Sequence, residues 1–145
     1  MHLPHTQIQE PPVIPQAGEV LIVDADASIR GLLATLVRRL PRNPVLAGDG
    51  NRAMELLSSS REFDVIILEL MLTGLSGLDL LSYLGRAKPE LLERVVVVTT
   101  TSKTHWCDSQ EITRVAAVLR KPFAIDELQS VLRRCCEQQS GDQCR

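Results

Sequence analysis

The stretch from Phe63 to Gly77, FDVIILELMLTGLSG, constrains this chain more than any other. It opens with a run from Val65 to Leu70 that is apolar except for one acid, Glu69. A run of this kind, β-branched at its start and closed by a loop holding Gly74 and Gly77, predicts a fully buried strand of a parallel sheet. The loop then feeds an apolar-periodic helix that begins near Leu78. Proteins of this build place their chemistry outside the carboxyl ends of the strands, so Glu69 is predicted at the mouth of the sheet. The plainer expectation for a strand-end acid is that it caps an amide of the loop it precedes.

The rest of the chain repeats the alternation. Val20–Val23 is a short buried strand ending in Asp24-Ala25-Asp26, and Asp26 or Ser28 can cap the helix that follows. In that helix Ile29, Leu32, Leu33, Leu36, Val37 and Leu40 form one stripe, ended by Pro41 and Pro44. Pro44–Ala47 reads as a weak second strand, Gly48-Asp49-Gly50 as a turn, and Asn51–Ser59 as a short helix with Ala53, Leu56 and Leu57 inward. The helix Leu78–Ala87 is stopped by Pro89. Four consecutive valines within Arg94–Thr99 would lose rotamer freedom in a helix and predict a fourth strand. A poorly patterned helix is expected over Lys103–Arg114 and a fifth strand over Val115–Leu119. The last helix should run from Ile125 to about Cys136, with Ile125, Leu128, Leu132 and Cys135 on one face. Five strand–helix alternations with short loops predict one α/β domain, a parallel sheet joined by right-handed crossovers and covered on both faces.

Residues 1–18, with Pro4, Pro11, Pro12 and Pro15, read as a flexible Pro-rich extension, residues 19–136 as the folded domain and 137–145 as a flexible tail. His2 and His5 fall in the extension and read as solvated. At 145 residues the chain fits one domain. A net charge of −2 gives no footprint for nucleic acid or for an anionic membrane. No apolar stretch approaches the ~20 residues of a membrane span, and the start lacks the pattern of a signal peptide, so a cytoplasmic protein is expected. Cys107, Cys135, Cys136 and Cys144 show no metal-ligand spacing and read as free thiols.

The strand ends bring Asp24 and Asp26, Glu69, Thr99 and Lys121 to one sheet edge. Acids, a hydroxyl and an ammonium group together suit phosphoryl chemistry, with carboxylates for Mg²⁺ and the hydroxyl and lysine for phosphoryl oxygens.

Four segments carry a resemblance to a family: LIVDADASIR at 21–30, FDVIILELMLTGLSGLDLL at 63–81, VVVVTT at 95–100 and VLRKPF at 118–123. In order and spacing, the chain from about Glu19 to Cys136 resembles the CheY-like receiver domain of two-component response regulators. The resemblance implies a flavodoxin-like (βα)5 doubly wound sheet of strand order 2-1-3-4-5. It also implies an aspartate at the end of the third strand that takes a phosphoryl group from a histidine kinase, using Mg²⁺.

This sequence departs from that pattern at several places. Glu69 stands where the phosphoacceptor aspartate is expected, and Ala25 where the second acid of the metal-binding pair is expected. Thr73 replaces a proline and Ser76 an aspartate, while Val118 takes the place of an aromatic residue that reports phosphorylation. Thr99 and Lys121 match the switch and phosphate-binding positions. Losing a direct ligand is costly for Mg²⁺, which demands near-octahedral oxygen geometry. A carboxylate one methylene further out is mispositioned by about 1 Å, enough to cost on the order of 100-fold in a positioned reaction.

The resemblance therefore implies a pseudo-receiver that is not an enzyme and uses no cofactor, with Asp24, Asp26 and Glu69 as weak metal candidates at most. It should act by contact through the family's interaction face, here residues about 103–135: the fourth predicted helix, the fifth strand and the fifth helix. A histidine kinase, a sigma-factor regulator, another regulator or a second copy of the chain are the partners in view. A phosphorylatable receiver of a phosphorelay is the runner-up. A different class is also in view, because Val20–Ser28 resembles the first motif of haloacid-dehalogenase-type Mg²⁺-dependent phosphatases. That would make Asp24 a nucleophile and Asp26 a general acid, with Thr99 and Lys121 as later motifs. The fourth motif of that family is missing.

Overall fold

The computed structural model describes residues 17–143. Residues 1–16, which hold most of the Pro-rich extension with His2 and His5, and residues 144–145, which include Cys144, lie outside the described residues.

Five strands form one sheet: β1 (Glu19–Val23), β2 (Asn43–Ala47), β3 (Val65–Leu68), β4 (Val95–Thr99) and β5 (Ala117–Arg120). All are parallel, in the order β2-β1-β3-β4-β5, which is the flavodoxin-like arrangement. Successive side chains on a strand point to opposite faces, and here each face meets its own pair of helices. Leu21, Val23, Ile66, Leu68, Val95 and Val97 pack on one side with α2 (Gly50–Ser58) and α3 (Gly77–Ala87). Val20, Ile22, Val65, Ile67, Val96 and Val98 pack on the other with α1 (Ala27–Arg38) and α4 (Ile125–Gln143). Every residue of β3 and β4 is buried, as expected for strands covered twice.

Local chemistry sets the helix starts. Asp26 caps α1 by accepting from the amides of Ser28 and Ile29, and Asp49 caps α2 through the Arg52 amide. Ser76 and Asp79 form a reciprocal capping box on α3. Gly74, at φ 74°, makes the left-handed bend in the loop after β3, where a Cβ would also lie 2.8 Å from Asn51 Nδ2.

The chain departs from the sequence-based expectation in several places, among them β5, expected over Val115–Leu119 and observed at Ala117–Arg120. The helix predicted over Lys103–Arg114 is absent; two short 3₁₀ turns, Lys103–His105 and Glu111–Arg114, take its place. Its two inward residues, Trp106 and Ile112, are spaced i to i+6, which sets them about 120° apart on an α-helix and prevents a single stripe. Hydroxyl and β-branched residues in the same stretch compete further with helix hydrogen bonding. Next, β3 ends at Leu68, so Glu69 and Leu70 belong to the loop. Pro89 also starts a 3₁₀ turn, Pro89–Arg94, that delays β4 to Val95. Finally, α4 continues through residues 137–143, past the end expected at Cys136.

Candidate functional site

The sheet brings the strand ends into register before any side chain is placed. The Glu69 amide donates to Val23 O at 2.9 Å and the Asp24 amide to Ala47 O at 3.1 Å, extending the ladder past the strands. Thr99 is the last residue of β4 and lies opposite Arg120, and the Lys121 amide donates to Thr99 O at 2.9 Å. Asp24, Glu69, Thr99 and Lys121 therefore face one another across the carboxyl edge of β1, β3, β4 and β5.

Among the described residues, the buried polar side chains are Asp24 (3% exposed), Glu69 (4%) and Thr99 (0%), all in this pocket. Burying polar groups is tolerated only with hydrogen-bond partners, and each has them. Glu69 Oε2 accepts from the amides of Leu70 at 2.6 Å and Met71 at 3.1 Å and from Thr99 Oγ1 at 2.5 Å. Its other oxygen, Oε1, accepts from Lys121 Nζ at 3.0 Å. The same ammonium donates to Asp24 Oδ2 at 2.6 Å. Asp24 Oδ1 accepts from the Asp26 amide at 2.9 Å, and Arg30 donates to the Asp24 carbonyl at 2.7 Å. Glu69 thus caps loop amides with one oxygen and meets the lysine with the other.

The electrostatics follow. Burial alone pushes the Glu69 carboxyl upward, yet the Thr99 hydroxyl, the Met71 amide and the Lys121 ammonium outweigh it and hold the group below its ordinary range. Burial likewise works against the Lys121 charge, but hydrogen bonds and attraction from Asp24 and Glu69 raise it above the ordinary lysine value. Both groups are therefore charged at neutral pH.

Other sequence-predicted residues lie outside this cluster. The Asp26 carboxylate is exposed and turned to the α1 amides of Ser28 and Ile29, at 2.8 and 3.2 Å. Ala25 is exposed and offers no oxygen, and Val118 is half-buried on β5 opposite Val97. The donor set does not fit Mg²⁺: Asp24 and Glu69 both hold the Lys121 ammonium, Asp26 is turned away, and Ala25 supplies nothing. Among the described residues no cluster of three or more His, Cys, Asp or Glu side chains could hold a metal ion.

Sequence reasoning missed two contributors. Thr101 extends the pocket through Thr101 Oγ1, 3.0 Å from Thr99 Oγ1, and through its amide, 3.2 Å from the same oxygen. Arg30 faces the Asp24 carbonyl from α1. Neither has a pattern in the sequence beyond lying near a strand end.

A doubly wound parallel sheet of order 2-1-3-4-5, with acids, a threonine and a lysine gathered at its carboxyl edge, defines a receiver-type signalling domain. The family model for the response regulator receiver domain matches residues 20–133, and the chain belongs to that family. It is similar to the DNA-binding response regulator MtrA of Mycolicibacterium paratuberculosis, with 34% identity over 89 residues, 61% of this chain and 37% of that protein. Among solved structures, the signal receiver domain of an HD domain-containing protein from Pseudomonas fluorescens Pf-5 is 27% identical, with a TM-score of 0.74 over 87% of this chain and 99% of that one. A CheY-like receiver domain protein from Methanospirillum hungatei JF-1 shares the fold at a TM-score of 0.76 and 16% identity, over 88% of this chain and 99% of that one. The chain spans between a quarter and about half of the length of the curated relatives it matches. No helix among the described residues is long and apolar enough to cross a membrane.

Proposed function

We propose that this receiver domain signals by protein–protein contact without being phosphorylated, with Glu69 standing in place of the phosphoacceptor aspartate. The observation that carries the reading is the occupancy of the Glu69 carboxylate. One oxygen accepts from three donors and the other is held by the Lys121 ammonium, so attack on a phosphorus atom would have to compete with these contacts. The lysine is held by Asp24 as well, so two carboxylates share one ammonium group in the pocket. A phosphoryl group would bring nearer −2 and three acceptor oxygens. The Glu69 carboxylate supplies part of that charge permanently while it pairs with Lys121 and holds Thr99.

Receiver domains work by contact with kinases or other regulators, and the surface read from the sequence spans residues about 103–135. In this fold that surface consists of the two 3₁₀ turns, β5 and the first half of α4. A kinase, another regulator or a second copy of the chain is the partner expected there. The phosphatase reading loses ground to the family match and to the side chain of Asp24, which is paired with Lys121.

Acetyl phosphate with Mg²⁺, followed by intact mass measurement, tests the proposal. No added phosphoryl group is expected. An addition that disappears in Glu69→Ala overturns the reading and makes the chain a working receiver.

A further inference from the structure

Among the described residues, one buried side-chain donor lacks a protein acceptor: the indole Nε1 of Trp106. An N–H taken out of water without a replacement acceptor is destabilising, and such groups are rare enough in folded proteins to need a reason. Trp106 lies in the connection between β4 and β5, where the sequence led us to expect an α-helix. Its ring is half-buried against the apolar layer that holds Leu84, Val97 and Ile112.

The backbone around it is sparsely bonded. The Trp106 and Cys107 amides both donate to Lys103 O, at 3.1 and 2.8 Å, and the Ser109 amide donates to Trp106 O at 3.0 Å. These bonds stay within the segment; the ladder to the sheet resumes only at Ala116, whose amide donates to Val95 O at 2.8 Å. Lys103, Thr104, His105, Cys107 and Asp108 are exposed. Between residues 103 and 114 the apolar anchors are thus Trp106 and Ile112, and the first of them carries an unmet hydrogen bond.

We infer that residues 103–114 form a strap that opens as a local unit, with Trp106 as its latch and the unpaired indole N–H keeping that latch weak. Closure buries the ring and strands the donor; opening returns the donor to water and gives up the ring's apolar contacts. The two opposing contributions bring the closed and open forms close in free energy, which is the condition for sub-global opening well below global unfolding. The open form displays a tryptophan with a free donor, the kind of side chain that anchors protein interfaces. The strap lies within the surface proposed for partner contact, but its opening needs neither partner nor phosphate and is measurable on the isolated chain.

Trp106 is the only tryptophan, so 3-benzothienylalanine, which carries sulfur in place of the indole N–H, can be introduced at this position alone. Hydrogen exchange on the full chain then reads the strap and the sheet separately. In the unaltered protein the amides of residues 103–114 should exchange faster than those of β1 and β3. Replacing N–H by sulfur should slow strap exchange by about 10-fold while the sheet is unchanged, because the closed form no longer strands a donor. Trp106→Ala, which removes the latch, should speed strap exchange by about 10-fold or more with the sheet still protected. The inference is overturned if the sulfur isostere exchanges at the original rate or faster, as it would were the N–H satisfied by water. It is equally overturned if Trp106→Ala leaves strap exchange unchanged, or if strap and sheet exchange only together.

Discussion

The two edges of the sheet carry ion pairs of similar geometry in very different surroundings. At the carboxyl edge Lys121 Nζ lies 2.6 Å from Asp24 and 3.0 Å from Glu69, with side-chain exposures of 14%, 4% and 5%. At the amino edge Arg61 and Glu19 meet at 2.8 Å, with exposures of 42% and 32%. Distance does not separate the two sites, but solvent does. An exposed pair can exchange its partner for water at little cost, so it contributes little to stability. Two buried carboxylates and a lysine largely shielded from solvent have no such alternative, and Glu69 and Lys121 each owe their charged state to the partners around them.

Removing the shared cation breaks the comparison most severely. Lys121→Met leaves two carboxylates buried beside each other, and we expect it to destabilise the fold by about 3–5 kcal/mol, read by urea denaturation. A loss below about 1 kcal/mol would mean that the pocket is solvated much like the amino edge.

Glu69→Gln removes one charge but keeps an acceptor for Thr99 and the loop amides, and Asp24 still holds the lysine. The expected loss at neutral pH is about 1–3 kcal/mol. Its pH dependence carries the sharper signature. The Glu69 carboxyl titrates below its ordinary value of 4.5 in the folded protein, so its contribution is present above that value and fades as pH falls through the depressed one. The difference in stability between the unaltered protein and Glu69→Gln should therefore be constant near neutrality and shrink in acid. A difference that grows as pH falls would mean that burial, not the lysine and hydroxyl, governs the group.

Much of the carboxyl edge was legible in the sequence because each contributor ends an apolar run. Val20–Val23 delivers Asp24, Val65–Leu68 delivers Glu69, the valines deliver Thr99, and β5 delivers Lys121. Parallel strands must bring such ends together, so topology does the work that spacing alone could not. The side-chain assignments were less legible. Asp26 has the same chemistry as Asp24 two residues earlier, yet it serves the helix while Asp24 serves the lysine, a choice made by where the chain leaves β1. The connection around Trp106 was misread because its composition still allowed helical turns, and only the i to i+6 spacing of its inward residues argued against a continuous helix.

The amino edge provides the smallest expected effect and the cleanest control. Arg61 reaches both oxygens of Glu19, through Nε at 3.2 Å and Nη2 at 2.8 Å, so its geometry is the forked one in which guanidinium–carboxylate pairs are strongest. If geometry set the worth of an ion pair, this one would rival the pocket. If burial sets it, a double-mutant cycle of Arg61→Met and Glu19→Gln should give a coupling of only about 0.2–1 kcal/mol, weakened further by salt. The corresponding cycle of Lys121→Met and Glu69→Gln should give a larger coupling that salt barely changes, because mobile ions do not enter the pocket. Equal couplings at both edges would show that orientation outweighs desolvation, and the permanence attributed to the Glu69–Lys121 pair would then need another source.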